Sequence, residues 1–458
     1  MTGAAQENAR MLASILGVDE DEASHRLNST VLLTVADDGV SAAWADEIQS
    51  LLSRTVSVVR EPNARCRMEL VVGRAEPRTD LTHVHAAIDA EGATIDRFPV
   101  KRGGKAPHPL LAAIAACPTA AATLATAIDA TGLPPVSFPV VIRFDQLGLP
   151  PGTLDATIDL TGAVLIGAGA VGHGFLRALR HVSVKGVLPV IDPKKVGAGN
   201  PNRCLYLTDA DVRSEKAGAL TRNAQPDFPG LRLQPFVEEF STFVKREGPQ
   251  RTVLVTVDSR RVRRSIQREV PRRVLDASTT DIRAVVVHSH VQPTAYACLA
   301  CIYKHVPEEN VREQAIADGL GITLAMVKES LISAFAAARI RAVHPNLSEA
   351  DLVGMAYDSL FKQLCAEQAL KTPEGRQVLA PFAFVSSLAG ALLVVELLRS
   401  EAGITPTNYW QADPWGAPMH RLRRLRPRES DCEFCSKPHF LAVADKLWGK
   451  PSLASRSM

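Results

Sequence analysis

Gly167, Gly169 and Gly172 form a Gly-x-Gly-x-x-Gly run directly after the apolar stretch Ala163-Val-Leu-Ile166. Its first two glycines let backbone N–H groups approach a phosphate, and the third lets a helix, Phe175-Leu-Arg-Ala-Leu-Arg, pack close on the strand. Asp192 closes the next apolar run, Val187-Leu-Pro-Val-Ile191, at the distance of about twenty residues where a carboxylate reaches ribose hydroxyls. These four residues fit any nucleotide, with a hydride-transferring dehydrogenase as the default. Asn200, Arg203 and Lys216 follow at once and change the reading. An amide and two fixed cations converge where a longer phosphate chain would lie, and a triphosphate must be neutralised before its α-phosphorus can be attacked. Asp258 ends the buried run Thr252-Val-Leu-Val-Thr-Val257, at the carboxyl edge of a parallel sheet where a carboxylate can hold magnesium. Together these residues read as an ATP site.

A second chemistry lies in two Cys-x-x-Cys pairs, Cys298 with Cys301 and Cys432 with Cys435. Either pair alone fits a redox dithiol. Brought together, the four thiolates complete a closed tetrahedral site for Zn2+, structural because no position stays open for water. With eight cysteines in all, this usage suits a reducing compartment better than a disulfide framework, and the expected location is cytoplasmic.

The elements that must position these residues belong to a chain of 458 residues, long enough for two or three domains. A net charge of +3 argues for no particular partner. The arginine clusters Arg260 to Arg264 and Arg421 to Arg426 read as solvated or partner-facing surfaces, so no nucleic acid is expected. No signal peptide opens the chain, and the apolar run from Pro381 to Val395, closed by Glu396, reads as a buried helix, so no membrane is expected either. Residues 1–150 repeat the order of the later half without its chemistry: strands at 30–35, 55–59 and 68–72 and a helix at 42–53, with Val35-Ala-Asp-Asp-Gly39 in place of the glycine run and Gly73 in place of the acid. They read as a degenerate repeat; an unrelated α/β recognition domain is the alternative. Pro134, Pro135, Pro139, Pro150 and Pro151 mark a linker. Between the cysteine pairs, residues 308–317, 324–343 and 348–370 read as helices, the last opening with the capping pattern Ser348-Glu-Ala-Asp351. They carry Cys365, with Lys362 three residues before it to depress the thiol pKa. A single cysteine in an amphipathic helix also fits a small core residue, and Cys204, beside Arg203, is the second candidate nucleophile.

The glycine turn, the Asp192…Asn200-x-x-Arg203…Lys216 spacing and Asp258 with Arg263 resemble the adenylating fold of the ThiF, MoeB and ubiquitin-activating enzymes over about residues 160 to 300 and 380 to 436. The resemblance implies an α/β Rossmann-like adenylation domain with a mostly parallel sheet (151–304 and 379–458), preceded by an inactive adenylation-like half (1–150) and carrying a helical catalytic-cysteine insertion (305–378). It implies that Gly167, Gly169, Gly172, Asp192, Asn200, Arg203 and Lys216 bind ATP, that Asp258 holds Mg2+, and that Arg203, Lys216 and Asp258 assist adenylation of a ubiquitin-like protein's C-terminal glycine. Cys365 would then form a thioester and pass the acyl group to a conjugating enzyme. The layout is similar to the bacterial BilD-type activating enzymes of antiviral ubiquitin-like conjugation systems, with a monomeric internal pseudo-dimer or a homodimer as its assembly. The other readings are a ThiF- or MoeB-like adenylyltransferase acting on a sulfur carrier or peptide without a thioester, and a non-enzymatic scaffold. Two departures stand out: Lys194 replaces the acid usual two residues after the first, and the arginine-bearing segment expected before the glycine turn is absent, leaving Arg10 as the early candidate.

Overall fold

The computed structural model describes residues 3–280, 282–304, 307–329, 332–353, 355, 357, 360, 361, 364, 382–404, 407–418 and 423–449. Its two sheets follow from two kinds of apolar run. In the later half, near-continuous apolar segments give strands buried on both faces, as parallel sheets require: β8 (Ala163–Ile166), β9 (Val184–Ile191), β10 (Leu231–Phe236) and β11 (Thr252–Val255). With β12 (Arg273–Thr280) they form five parallel strands in the order β10-β9-β8-β11-β12, which β13 (Ala284–Val291), β14 (Tyr409–Ala412) and β15 (Arg423–Arg424) extend antiparallel. The strand order reverses at β8, so the carboxyl ends of β8, β9 and β11 open on a topological switch point, where open α/β sheets bind ligands. The fold class is the expected one: α/β, Rossmann-like and mostly parallel.

The first half repeats this plan. Its sheet runs β2 (Ser57–Val59), β1 (Thr30–Val35), β3 (Cys66–Val72), β4 (Thr82–Ile88), β5 (Gly92–Asp96) and β6 (Val140–Arg143), the first four strands parallel and the last two antiparallel. That is the order and sense of β9, β8, β11, β12, β13 and β14. Each half also sends one long apolar helix back before its last strand in this series, Pro109–Ile128 and Ala383–Glu401, and the two helices pack on each other at the centre of the molecule. Both are long and apolar enough to cross a membrane by composition, but 78% and 94% of their apolar windows are buried in protein. The apolar run expected as a buried helix is a core helix from Ala383 on.

Close helix packing seats the glycine turn. A Cβ on Gly174 would lie 2.6 Å from the Ser386 carbonyl oxygen, and one on Gly390 would lie 2.1 Å from the Phe175 nitrogen. The helix Ala170–Leu179 therefore meets Ala383–Glu401 backbone to backbone. Across the halves, Glu47 accepts from Arg177 and, at 2.6 Å, from Arg180. Burial alone would raise the Glu47 carboxyl, but the bond to His181 and the charges of Arg177 and Arg180 hold it well below the carboxylate range. Arg399 donates to the carbonyls of Leu147 at 3.3 Å and Gly148 at 2.6 Å, fixing the passage between halves.

Several sequence expectations change. The proline-marked linker contains β6, because Val140 and Ile142 alternate inward onto the first half's core. The expected helix over 324–343 is two, Leu324–Lys328 and Ala334–Val343, because the Ser333 hydroxyl accepts from Ala336 N–H at 3.2 Å and starts a new helix. The helix opened by Ser348 stops at Leu352, where Val353 turns extended, and Ser348 makes no side-chain cap bond. Three arginines of the two clusters bond within the chain, Arg261 to the Val327 carbonyl, Arg264 to Glu433 and Arg423 over the Trp410 ring, while Arg260 and Arg424 are exposed as expected. The final helix, Pro438–Trp448, carries no motif in its sequence but closes the cysteine cluster.

Candidate functional site

Gly167 adopts φ +105, and a Cβ there would lie 2.9 Å from the Thr256 backbone, so the turn admits no side chain. A Cβ on Gly172 would meet the Gly167 carbonyl oxygen at 2.3 Å. Thr256 pins the turn from β11 by donating its hydroxyl to the carbonyls of Ile166 (3.0 Å) and Gly167 (2.7 Å). Gly169 then begins the helix Ala170–Leu179 with no side-chain cap, leaving its first N–H groups directed at the switch point. The first half differs here. The helix Gly39–Leu52 is capped by Asp38, whose carboxylate accepts from Ser41 N–H at 2.8 Å. An anion of the chain itself sits where a phosphate would need to be, and Arg60 follows β2 where Asp192 follows β9.

Asp192 is buried, its Oδ2 accepting from Ala168 N–H (2.8 Å) and its Oδ1 from Lys194 N–H (2.9 Å). Lys216, first residue of the helix Lys216–Ala224, is anchored by its own N–H on the Lys194 carbonyl at 2.9 Å. Burial pushes the Lys216 ammonium pKa down, against the pull of Asp192 and Asp258 and with the push of Lys194. Asn200 turns its Oδ1 onto Gly197 N–H at 3.0 Å, and Arg203 Nη1 donates to Asn202 Oδ1 at 2.8 Å. The buried Cys204 thiol lies in the fields of Arg203, Lys216, Arg54 and Asp192, and burial raises its pKa. Asp192, Arg203, Lys216 and Asp258 thus converge around one cleft, and Cys204 is packed beneath it as a buried, protonated thiol rather than an accessible nucleophile.

Asp258 is more than half exposed, with Lys194 Nζ 3.4 Å from its Oδ1. One carboxylate fits a magnesium ion that takes its remaining ligands from water and phosphates. Glu239, at the start of the helix Phe240–Glu247, is pushed toward the neutral form by burial, with Asp192 adding to the shift and Lys194 opposing it. Arg263 does not reach the cleft: its Nε donates to Asp276 Oδ1 at 2.8 Å, and its guanidinium lies 4.4 Å over the Tyr303 ring. Arg10 pairs with Glu20 at 3.5 Å. Cys365 and Lys362 lie outside the described residues.

The two cysteine pairs meet. Sγ atoms of Cys298 and Cys301 are 3.8 Å apart, those of Cys298 and Cys432 3.7 Å, and those of Cys301 and Cys435 3.4 Å, with all four within 4.8 Å of one another. A tetrahedron with metal–sulfur bonds of about 2.3 Å has edges of about 3.8 Å, so the cluster fits Zn2+. Phe440 and Ala444 cover it, and Trp448 Nε1 donates to the Val270 carbonyl at 2.8 Å to hold that cover.

Sequence reasoning missed Thr256, Glu239, Asn8 and Arg54. Thr256 was visible one residue before the end of an apolar run; Asn8 and Arg54 are remote in sequence and carry no motif.

The chain is 25% identical over 420 residues to the uncharacterized protein y4jF of Sinorhizobium fredii, covering 85% of this chain and 79% of that one. Crystal structures of Escherichia coli MccB align with it at a TM-score of 0.37 and 13% identity, both with ATP (62% of this chain, 67% of that) and with MccA-N7isoASN (62% and 68%). The E1 N-terminal domain matches residues 1–150. The ThiF family itself matches residues 155–434, which span the glycine turn, the cleft, the first cysteine pair and Cys432 of the second, and the chain belongs to that family.

Proposed function

We propose that the protein is an ATP-dependent activating enzyme for a ubiquitin-like protein. One observation carries this reading: the cationic cleft at the switch point stands in a chain whose first 150 residues match the E1 N-terminal domain and whose remainder matches the ThiF family. The carrier's C-terminal carboxylate oxygen attacks the α-phosphorus of ATP, the α–β phosphoanhydride bond breaks, and pyrophosphate leaves. Gly167, its own N–H spent on the Ile191 carbonyl at 2.9 Å, makes the turn, Gly169 and the uncapped first turn of the helix after it present backbone N–H groups to the phosphates, Gly172 keeps the helix close, Asp192 takes the ribose, and Asn200 holds the loop that carries Arg203. Arg203 and Lys216 neutralise charge growing toward the leaving group. Asp258 would hold Mg2+, which supplies further charge neutralisation when bound.

In the next step a thiolate, assigned to Cys365, attacks the acyl carbon, AMP leaves with the bonding electrons, and the thiol proton passes to solvent. The acyl group then moves to a conjugating enzyme, in a bacterial antiviral system of the BilD type. Under this reading residues 1–150 are a non-catalytic half, 151–304 with 379–458 the catalytic half, and 305–378 the thioester insertion. Pyrophosphate exchange into ATP that depends on a ubiquitin-like protein ending in glycine tests the first step. A nonreducing gel tests the second: a reductant-sensitive adduct that persists in Cys365→Ala removes Cys365 as the nucleophile, and exchange without any adduct favours the sulfur-carrier reading.

A further inference from the structure

The loop that carries Asn200 and Arg203 is held from outside its own half. Arg54 reaches across from the first half and donates to three of the loop's carbonyls: Nη1 to Pro201 at 2.7 Å and Leu207 at 3.1 Å, Nη2 to Leu205 at 2.8 Å. The carbonyl of Arg54 accepts from Asn8 Nδ2 at 2.6 Å. Asn8 Oδ1 accepts from Asn202 Nδ2 at 3.0 Å, and Asn202 Oδ1 accepts from Arg203 Nη1 at 2.8 Å. These bonds form one directed chain from the backbone of the first half to the guanidinium in the cleft, in which each amide gives one N–H and receives on its one oxygen. Asn8 is 4% exposed and Asn202 2%, so these amide bonds are largely shielded from solvent and truncating one partner leaves the other's polar group without it. The neighbouring backbone is closed as tightly: a Cβ on Gly3 would lie 2.7 Å from Ala198, one on Gly199 would lie 3.2 Å from Glu7, and Glu7 Oε1 is 4.0 Å from Arg203 Nη1.

We infer that Asn8 and Arg54 are positioning residues for the phosphate chain of the nucleotide, setting the direction of Arg203 through Asn202. The inference rests on the reading of the cleft as an ATP site. The first half then contributes orientation to the phosphate site, while its own Arg10 stays on Glu20. A guanidinium is needed at position 54 because three carbonyls are met by one planar fork, which a single ammonium cannot reproduce.

Affinities for ATP and for adenosine, which has no phosphates, are measured by titration calorimetry on Asn8→Ala, Arg54→Lys, Arg203→Ala and the double variant Asn8→Ala/Arg203→Ala, with thermal unfolding of each unliganded protein. Losing one charge-orienting bond weakens ATP binding about tenfold in Asn8→Ala and in Arg54→Lys, with adenosine affinity changed less than about twofold and no further loss from Asn8→Ala once Arg203 is absent. Equal losses for ATP and adenosine, full additivity with Arg203→Ala, or wild-type affinity in both variants would each overturn the inference. Should Asn8→Ala fail to fold, Arg54→Lys carries the same comparison. Wild-type protein that binds no ATP overturns the site reading and the relay with it; wild-type protein that binds ATP as tightly as the variants do overturns the relay alone.

Discussion

Lys194 stands where the resembled family carries an acid, and its ammonium lies 3.4 Å from the carboxylate assigned to magnesium. A divalent ion bound at Asp258 competes with that ammonium for the same carboxylate charge. Two unit charges at this separation attract by about 1.2 kcal/mol in a water-like medium, the appropriate limit because the Asp258 side chain is 61% exposed. Replacing Lys194 by Met keeps the stem and removes the competitor, so divalent metal should bind about fivefold to tenfold more tightly, each 1.36 kcal/mol being a factor of ten. ATP should move the other way when metal is absent, since one of the cleft's cations is gone. Mn2+ binding followed by electron paramagnetic resonance, with and without a non-hydrolysable ATP analogue, measures both effects. The wild-type penalty should also shrink as salt is raised from 0.05 to about 0.5 M, because the pair is open to screening. Metal affinity that is unchanged or weaker in Lys194→Met would refute the competition and detach Asp258 from the metal.

His173 is fully buried one turn into the helix after the glycine run; its Nδ1 accepts from Tyr206 N–H at 3.2 Å, and burial, with Lys216 and Arg54, lowers its pKa to about 3. The folded value lies below the unfolded one, so the stabilisation is complete above pH about 6.5 and is lost as pH falls, at up to about 1.4 kcal/mol per unit; His173→Asn should flatten the fall of the thermal midpoint between pH 6.5 and 5. Cys432→Ser should reduce bound zinc from one equivalent to near none by metal analysis and lower the unfolding temperature, because structural sites of this kind contribute folding energy directly. Gly390→Ala places a methyl 2.1 Å from the Phe175 backbone nitrogen. Overpacking of that kind costs about 1–3 kcal/mol, and because the displaced helix begins at the glycine turn, denaturant stability and ATP affinity should fall together.

What the chain disclosed in advance was local, and what it withheld was remote. Gly167, Asp192 and Asp258 were legible because each ends or follows an apolar run, and strand ends in a parallel sheet must gather at one edge whatever lies between them, while Lys216 was legible only through its spacing from Arg203. The cysteine pairs were legible for a similar reason: a Cys-x-x-Cys turn fixes two ligands, so only one long-range contact was left to guess. Asn8 and Arg54 offer no such regularity. Their meaning lies in hydrogen bonds that span 46 to 194 positions, and a lone amide in an alanine-rich helix looks like any solvated residue. The first half was readable as a faded copy because hydrophobic alternation survives the loss of chemistry, and Asp38 explains how that loss is made permanent. Its carboxylate satisfies the helix N-terminus from within, so the turn after β1 presents an anion where the turn after β8 presents open N–H groups. The cap is thus one structural difference between the two halves, beside Arg60 in the place of Asp192. If the cap is only one of the differences that keep ATP from the first half, Asp38→Gly should leave its fold intact and still bind no ATP there, because Arg60 at the ribose position and the missing counterparts of Arg203 and Lys216 would have to change as well. A second equivalent of ATP in calorimetry of Asp38→Gly would instead assign the silencing to the cap alone.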